Sequence, residues 1–364
     1  MTNRIQLSKE KDEDNTRAVS KISVFDTALK VEQRENVHTG RRKLHIFNPD
    51  TDYALASARR YYTPPAHVVK LRKELALLPA LWASNEDAIL LIDDFTDELE
   101  NSELAKICKE KEITVLDRKT LKSESESTGS FDYCPWGWNL SIRQFLFDIF
   151  GNDNGLPTEE SISRLRELSH RRTTIDFFMQ LPCNLVKGLE LPQEIFSVDE
   201  AMEHYEKNKE LYFKAPWSSS GRGILFSGDL EARHVKPWIR GIIKRQGSVV
   251  MEKAYNRALD FATEWQCRDG ETHFLGYSVF NTSRRGKYHG NISATQEELE
   301  QIIVKSSKSD LSQIVSAQKE AIDKIISPAY EGPLGIDLLV TNEGVVNPCV
   351  EINLRHTMGM IGLL

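Results

Sequence analysis

Gly335-Ile336-Asp337-Leu338-Leu339-Val340-Thr341, then Asn342-Glu343-Gly344, then Val345-Val346-Asn347-Pro348-Cys349-Val350-Glu351-Ile352-Asn353-Leu354-Arg355, is the stretch whose reading decides the fold. Two apolar runs joined by a Gly-containing turn read as a β-hairpin. Side chains of a strand alternate between faces, so Glu351 and Asn353 project together and Ile352 projects the other way. Asp337 on the paired strand can face them. Carboxylates gathered among apolar neighbours repel one another and lose hydration. A hard divalent cation relieves both penalties, and Mg2+ takes one or two carboxylates with water and phosphate oxygens. An exposed hairpin face with ordinary surface acids fits the same pattern, so the decision falls to elements upstream.

Two segments bear on it. Tyr212-Phe213-Lys214 reads as a strand ending in a lysine, and Ala215-Pro216-Trp217-Ser218-Ser219-Ser220-Gly221-Arg222-Gly223 follows. A lysine there can meet phosphate oxygens, and small residues let backbone N–H groups approach a polyphosphate. A flexible turn reads the same way, and the spacing is neither GxxxxGK[ST] nor GxGxxG. Val249-Val250-Met251-Glu252-Lys253-Ala254 reads as an apolar strand with a polar end, which can offer backbone hydrogen bonds to a base edge. Asp260 beyond it can take ribose hydroxyls. Alone, it is a plain strand and loop.

Further out, Leu44-His45-Ile46-Phe47, Ala88 to Asp94, Ile113 to Leu116 and Phe131 to Tyr133 read as strands. Helical patterns separate them, from Tyr53 to Arg60, Val68 to Leu81 and Leu99 to Lys111. That alternation predicts a parallel sheet covered on both faces. An amphipathic helix follows from Leu140 to Phe150. Helices are expected from Thr158-Glu159-Glu160 toward Ser169 and over Thr173–Gln180, Ser197–Asn208, Glu297–Val304 and Leu311–Ile326. Phe261–Cys267 and Thr272–Asn281 pair around the turn sequence Arg268-Asp269-Gly270-Glu271. The chain of 364 residues is long for one core. The expected division is a polar arm over 1–42, a parallel α/β domain over 43–157, and two further lobes over 158–253 and 254–364.

A net charge of −7 disfavours a nucleic acid partner. Five scattered cysteines with no CxxC spacing disfavour a disulfide framework and fit a reducing compartment, and no stretch approaches the ~20 apolar residues a membrane helix needs, so cytoplasmic residence without a membrane partner is expected.

In order and spacing, the strand–lysine–glycine loop, the hinge strand with its glutamate and the closing Asp…Glu-x-Asn resemble the ATP-grasp superfamily. The resemblance covers roughly Leu168 to Gly359, preceded by a region similar to the α/β domain often found before that fold. It implies an α/β and α+β chain: a parallel N-terminal domain, then a two-lobed ATP-grasp fold with antiparallel sheets. It implies ATP as ligand, with Lys214 on the α/β-phosphates and Ser218, Ser219, Ser220, Gly221 and Gly223 in the loop over the triphosphate. Glu252 and Ala254 would line the adenine hinge, and Asp260 would hold the ribose. Asp337, Glu351 and Asn353 would hold one or two Mg2+ ions, with Mn2+ as an alternative. Arg355 matches the arginine that many members place beside an acyl-phosphate. The chain departs from the pattern at the first phosphate lysine, where Ser169-His170-Arg171-Arg172-Thr173 aligns and an arginine, Arg171 or Arg172, is the expected substitute, with Lys187 the weaker alternative. It also lacks the proline common after the last asparagine.

The implied activity is ligation. A carboxylate is activated by ATP as an acyl-phosphate and joined to an amine, with small molecules as partners and a homodimer as a possible assembly. A small-molecule kinase and a non-catalytic nucleotide-binding scaffold are the alternatives, separated by whether ADP release needs a carboxylate and an amine together. On the substrate side, the acids of Asn48-Pro49-Asp50-Thr51-Asp52 can hold an amine. Trp136 and Trp138 can wall a pocket, and basic Ser283 to Asn291 can meet a carboxylate. Each of these has a bland counterpart in core packing or a solvated loop.

Overall fold

Strand alternation sorts this sequence into helix-covered faces and polar faces, and the polar faces carry the residues of interest. The computed structural model describes residues 42–94, 96–121, 131–219, 221–282 and 288–364. The expectations for residues 1–41, for Ser220 and for Ser283 to Lys287 lie outside them.

The described residues form three sheets. In the first, β1 (Lys43–Ile46), β2 (Ala88–Leu90), β3 (Thr114–Leu116) and β4 (Asp132–Pro135) are all parallel, in the order β3-β2-β1-β4. Leu44, Ile46, Ala88, Leu90 and Leu116 bury against the helix Leu140–Phe150 through Ile142, Leu146 and Ile149. Asn139 caps that helix by accepting from Ile142 N, and Gly151 ends it at φ 69°. The order reverses at β1, so the loops after β1 and β4 flank the switch point where ligands of open α/β sheets gather.

The second sheet is antiparallel: β5 (Gln193–Ile195), β8 (Val249–Lys253), β6 (Leu211–Lys214) and β7 (Ile224–Phe226). Leu211, Phe213 and Met251 face the helices Val198–Lys207 and Ala232–Gln246. Tyr212 and Glu252, directly paired, and Lys214 lie on the opposite face.

The third sheet runs β11 (Tyr288–Asn291), β10 (Glu271–Thr282), β9 (Arg257–Arg268), β12 (Gly332–Thr341), β13 (Val346–Asn353) and is also antiparallel. Phe261, Trp265, Leu334, Ile336, Leu338 and Val340 bury beneath the helices Gln296–Ser306 and Leu311–Ile325. The alternate positions, Asp260, Glu264, Gly335, Asp337, Glu351 and Asn353, are left on the other face. The mixed architecture expected, a parallel N-terminal sheet followed by antiparallel sheets, is what the described residues adopt. Among the described residues no helix is long and apolar enough to cross a membrane.

Candidate active site

The closing hairpin sets the geometry. Asp337 is the register partner of Glu351, and Gly335 of Asn353, so the three oxygen-bearing side chains share one face in adjacent rows. Glu351 accepts from Arg171 Nη2 at 2.8 Å. Burial alone would raise the Glu351 carboxyl, but the charges of Arg171 and Lys214 outweigh it and hold it below its ordinary value. Asp337 is the contrasting case. No hydrogen bond or ion pair from the described residues reaches it, and burial, then the charges of Glu351 and Glu264, hold it well above the carboxylate range. Of the cations near this pair of carboxyls, only Arg171 is hydrogen-bonded to it. Two carboxylates and an amide oxygen are an all-oxygen set of the kind Mg2+ takes, so these residues fit that ion.

Lys214, 4% exposed, ends β6 and meets Glu252 at 2.5 Å. The loop after it turns back on itself, with Ala215 N donating to Gly223 O at 2.7 Å and Arg222 N to Ser219 O at 3.1 Å. Gly223 is required there, since a Cβ would stand 2.2 Å from the Ser218 Cβ. Gly221 sits at φ 73°, which favours glycine.

Of the two neighbouring arginines, Arg171 enters the site and Arg172 does not. Arg171 Nη2 also reaches Ser218 Oγ at 3.0 Å, and its Nε donates to Ala215 O at 2.9 Å. Its Nη1 is buried without a hydrogen-bond partner. Arg172, an expected phosphate ligand, instead faces Glu167 at 3.4 Å and Glu194 at 3.9 Å. The helix Arg172–Phe178 starts between the two, and one residue is about 100° of helical rotation. Sequence alone gave no signal for which would turn inward.

Ala254 and Asp260 line a cleft of about 410 Å3 together with Tyr212, Phe226, Phe280 and Asn342, contributed by both antiparallel sheets. The Ala254 N–H is already committed to Glu210 O at 2.9 Å. Asp260 accepts from Thr282 Oγ1 and lies 3.4 Å from Arg257.

Arg355 is held by the short helix Thr51–Ser57 that follows β1. Its Nε and Nη2 donate to Asp52, at 3.1 and 2.9 Å to Oδ2, and Nη2 donates also to Asn353 Oδ1 at 2.8 Å. Nη1 donates to its neighbour's carbonyl, His356 O, at 3.1 Å. The acids expected to be available to an amine are therefore engaged: Asp52 by Arg355, and Asp50 by Arg72 at 3.7 Å. Trp136, expected as a possible pocket wall, packs on Phe47, Trp82 and His356, and Trp138 packs against the cores. A void of about 20 Å3, the room one water needs, lies among Asp52, Arg171, Ser218, Glu351 and Asn353.

Glu264 is the residue the sequence did not single out. It is 0% exposed, accepts from Thr357 Oγ1 and Ser278 Oγ at 2.8 Å each, and lies over Gly335 and under Gly359. A Cβ on Gly359 would stand 1.9 Å from its Oε1, and one on Gly335 2.7 Å from its Oε2. Burial pushes its carboxyl up to about 7. The signal was present in the alternation: Glu264 shares the polar face with Asp260.

No protein-family model and no curated protein matches the chain. Solved structures do. Biotin carboxylase from Campylobacter jejuni, as a β,γ-ATP complex, is similar at TM-score 0.52 and 14% identity over 88% of this chain and 67% of that one. N5-carboxyaminoimidazole synthetase from Staphylococcus aureus gives TM-score 0.49 and 10% identity, over 87% and 71%. The biotin carboxylase domain of Hydrogenobacter thermophilus 2-oxoglutarate carboxylase, solved with MgADP, ADP and bicarbonate, gives 0.48 and 14%, over 86% and 64%. The chain thus spans about two thirds of the length of these relatives. The likeness to the Campylobacter jejuni biotin carboxylase is one of fold.

Proposed function

We propose that this chain is an ATP- and Mg2+-dependent ligase that activates a carboxylate as an acyl-phosphate and joins it to an amine. The carrying observation is the convergence of Asp337, Glu351 and Asn353 on one sheet face, with Lys214 and Arg171 beside them and an interlobe cleft lined by Ala254 and Asp260. The cleft's volume suits a base and ribose, with Tyr212 and Phe280 as apolar walls. Lys214 and Arg171 are buried cations that can meet a polyphosphate, and the unpartnered Nη1 of Arg171 is a donor awaiting an acceptor. Asp337, Glu351 and Asn353 would hold Mg2+, which when bound neutralises phosphate charge in the transition state.

Positioning and charge neutralisation carry such a transfer, so no side-chain nucleophile is needed. The γ-phosphoryl group moves to a substrate carboxylate oxygen and ADP leaves. The amine nitrogen then attacks the acyl carbon and phosphate departs with the bonding electrons. The carboxylate and amine are small molecules reaching the site from the side of Asp52 and Arg355.

The test is calorimetric titration with a non-hydrolysable ATP analogue, together with ADP release over a panel of carboxylates and amines. Glu351→Ala is expected to abolish Mg2+-dependent nucleotide binding while the chain stays folded, and ADP release is expected to require a carboxylate and an amine together. A Glu351→Ala chain that binds as the parent does would sink the metal assignment. ADP release with a single hydroxylated compound would make the protein a kinase.

A further inference from the structure

Asn353 Oδ1 is a shared atom. It accepts from Arg355 Nη2 at 2.8 Å, and as an amide oxygen it has a second lone pair to offer a cation. Arg355 does not reach it by chance of rotamer. Asp52 takes Nε and Nη2 of the same guanidinium, and the carbonyl of His356 takes Nη1, so the plane of the group is fixed on three sides. Asp52 and Arg355 side chains are each 16% exposed, which removes most of the solvent screening that weakens surface pairs. Burial alone would depress the guanidinium, and the Asp52 charge more than restores it.

Asp52 in turn is placed by the β1 loop. Asn48 Nδ2 donates to Gly137 O at 2.7 Å, and Thr51 Oγ1 donates to Asn48 O at 2.9 Å, tying the loop after β1 to the loop after β4. Gly137 leaves room for this. A Cβ there would stand 2.6 Å from Thr51 Cγ2 and 2.9 Å from Arg355 Cβ.

Resting on the reading of Asp337, Glu351 and Asn353 as the metal-holding set, we propose that Asp52 is a positioning residue for that metal. It orients Arg355, Arg355 orients the Asn353 amide, and the N-terminal parallel sheet thereby sets the Mg2+ affinity of a hairpin some 300 residues away in sequence. Outer partners of ligating groups act this way, and removing one typically costs about 10–100-fold in metal affinity. Asp52 has no hydrogen bond to Asp337, Glu351 or Asn353 among the described residues, and its bonded link to them is Arg355.

The experiment uses the full chain, a non-hydrolysable ATP analogue and two titrations. One measures Mg2+ affinity of the nucleotide-bound protein, with Mn2+ followed by electron paramagnetic resonance as a second reading. The other measures nucleotide affinity in EDTA. Asp52→Asn keeps the size but removes the charge and turns one of the two acceptor oxygens facing Arg355 into a donor, and is expected to weaken metal affinity by about 10–100-fold while nucleotide affinity in EDTA moves by less than about 2-fold. Arg355→Lys keeps the charge but loses the planar fork, and is expected to do the same. The double variant is expected to lose no more than either single, because the residues act in series. Multiplying losses would overturn the relay, as would a metal affinity within about 2-fold of the parent in Asp52→Asn. So would an equal loss of nucleotide affinity in EDTA, which a general distortion would produce. A parent chain that binds no metal–nucleotide complex would overturn the site itself, and the relay with it.

Discussion

Replacing Glu264 with glutamine removes one buried negative charge and almost no volume. In the folded chain burial moves this carboxyl from 4.5 to about 7, while the unfolded chain returns it to its ordinary value. The folded state therefore holds the proton more tightly. The resulting stability is fully present below pH 4.5 and is lost as pH rises through about 7. A displacement of roughly 2.5 on the pH scale, at about 1.36 kcal/mol for each, gives a loss of about 3 kcal/mol by pH 8. Glutamine has no such proton to lose. Its amide can accept from one hydroxyl and donate to the other, keeping contacts with Thr357 and Ser278. Urea unfolding of parent and Glu264→Gln, in EDTA and without nucleotide, at steps from pH 5 to pH 8, measures the difference directly. The two curves are expected to converge toward pH 5 and to separate by up to about 3 kcal/mol at pH 8, with the variant the more stable. Parallel curves would refute the argument, and so would a variant that is weaker at every pH by a constant amount.

Lys214→Met leaves the Glu252 carboxylate without its 2.5 Å partner, and is expected to cost about 3–5 kcal/mol in urea unfolding. Adding Glu252→Gln is expected to restore most of that stability, but not nucleotide affinity measured by calorimetry. Arg171→Met is expected to weaken nucleotide binding at least 10-fold, as a charge-assisted contact is lost. Arg172→Met, on the outward side, is expected to stay within about 0.5 kcal/mol of the parent in stability and to bind nucleotide normally. Gly359→Ala drives a methyl into Glu264 Oε1 and is expected to cost about 1–3 kcal/mol, read as a fall in melting temperature.

The three sheets were legible because their strands carry clean signals. Leu211 to Lys214 and the helix Leu140–Phe150 stand where the pattern placed them. Tertiary context wrote the rest. The helix Ala232–Gln246 contains Pro237 and a dense set of basic residues, and local propensity argues against it. Its apolar stripe, Val235, Ile239 and Ile242, becomes decisive only once the second sheet exists to receive it. β5 and β7 are three residues each, too short for alternation to register. In the candidate site, strand period is enough to put Glu351 and Asn353 on one face, opposite Asp337 and Gly335 of the paired strand. Arg171 over Arg172, and Asp52 as the partner of Arg355, depend on where a helix starts and on a contact across 303 positions, and no periodicity carries either.

His356, next to Arg355, has its ring 5.1 Å from Trp82 and 5.6 Å from Trp136. Indole emission responds to the packing and polarity around the ring, so these two tryptophans form a built-in optical gauge of where the Arg355 segment lies. Any event that lifts this segment off the N-terminal sheet changes their fluorescence on the timescale of the event itself. Burial, with a contribution from His45, depresses the His356 imidazole to about 4, so the signal stays clear of protonation through the neutral range. The chain can thus report stopped-flow kinetics of the Arg355 segment without a label.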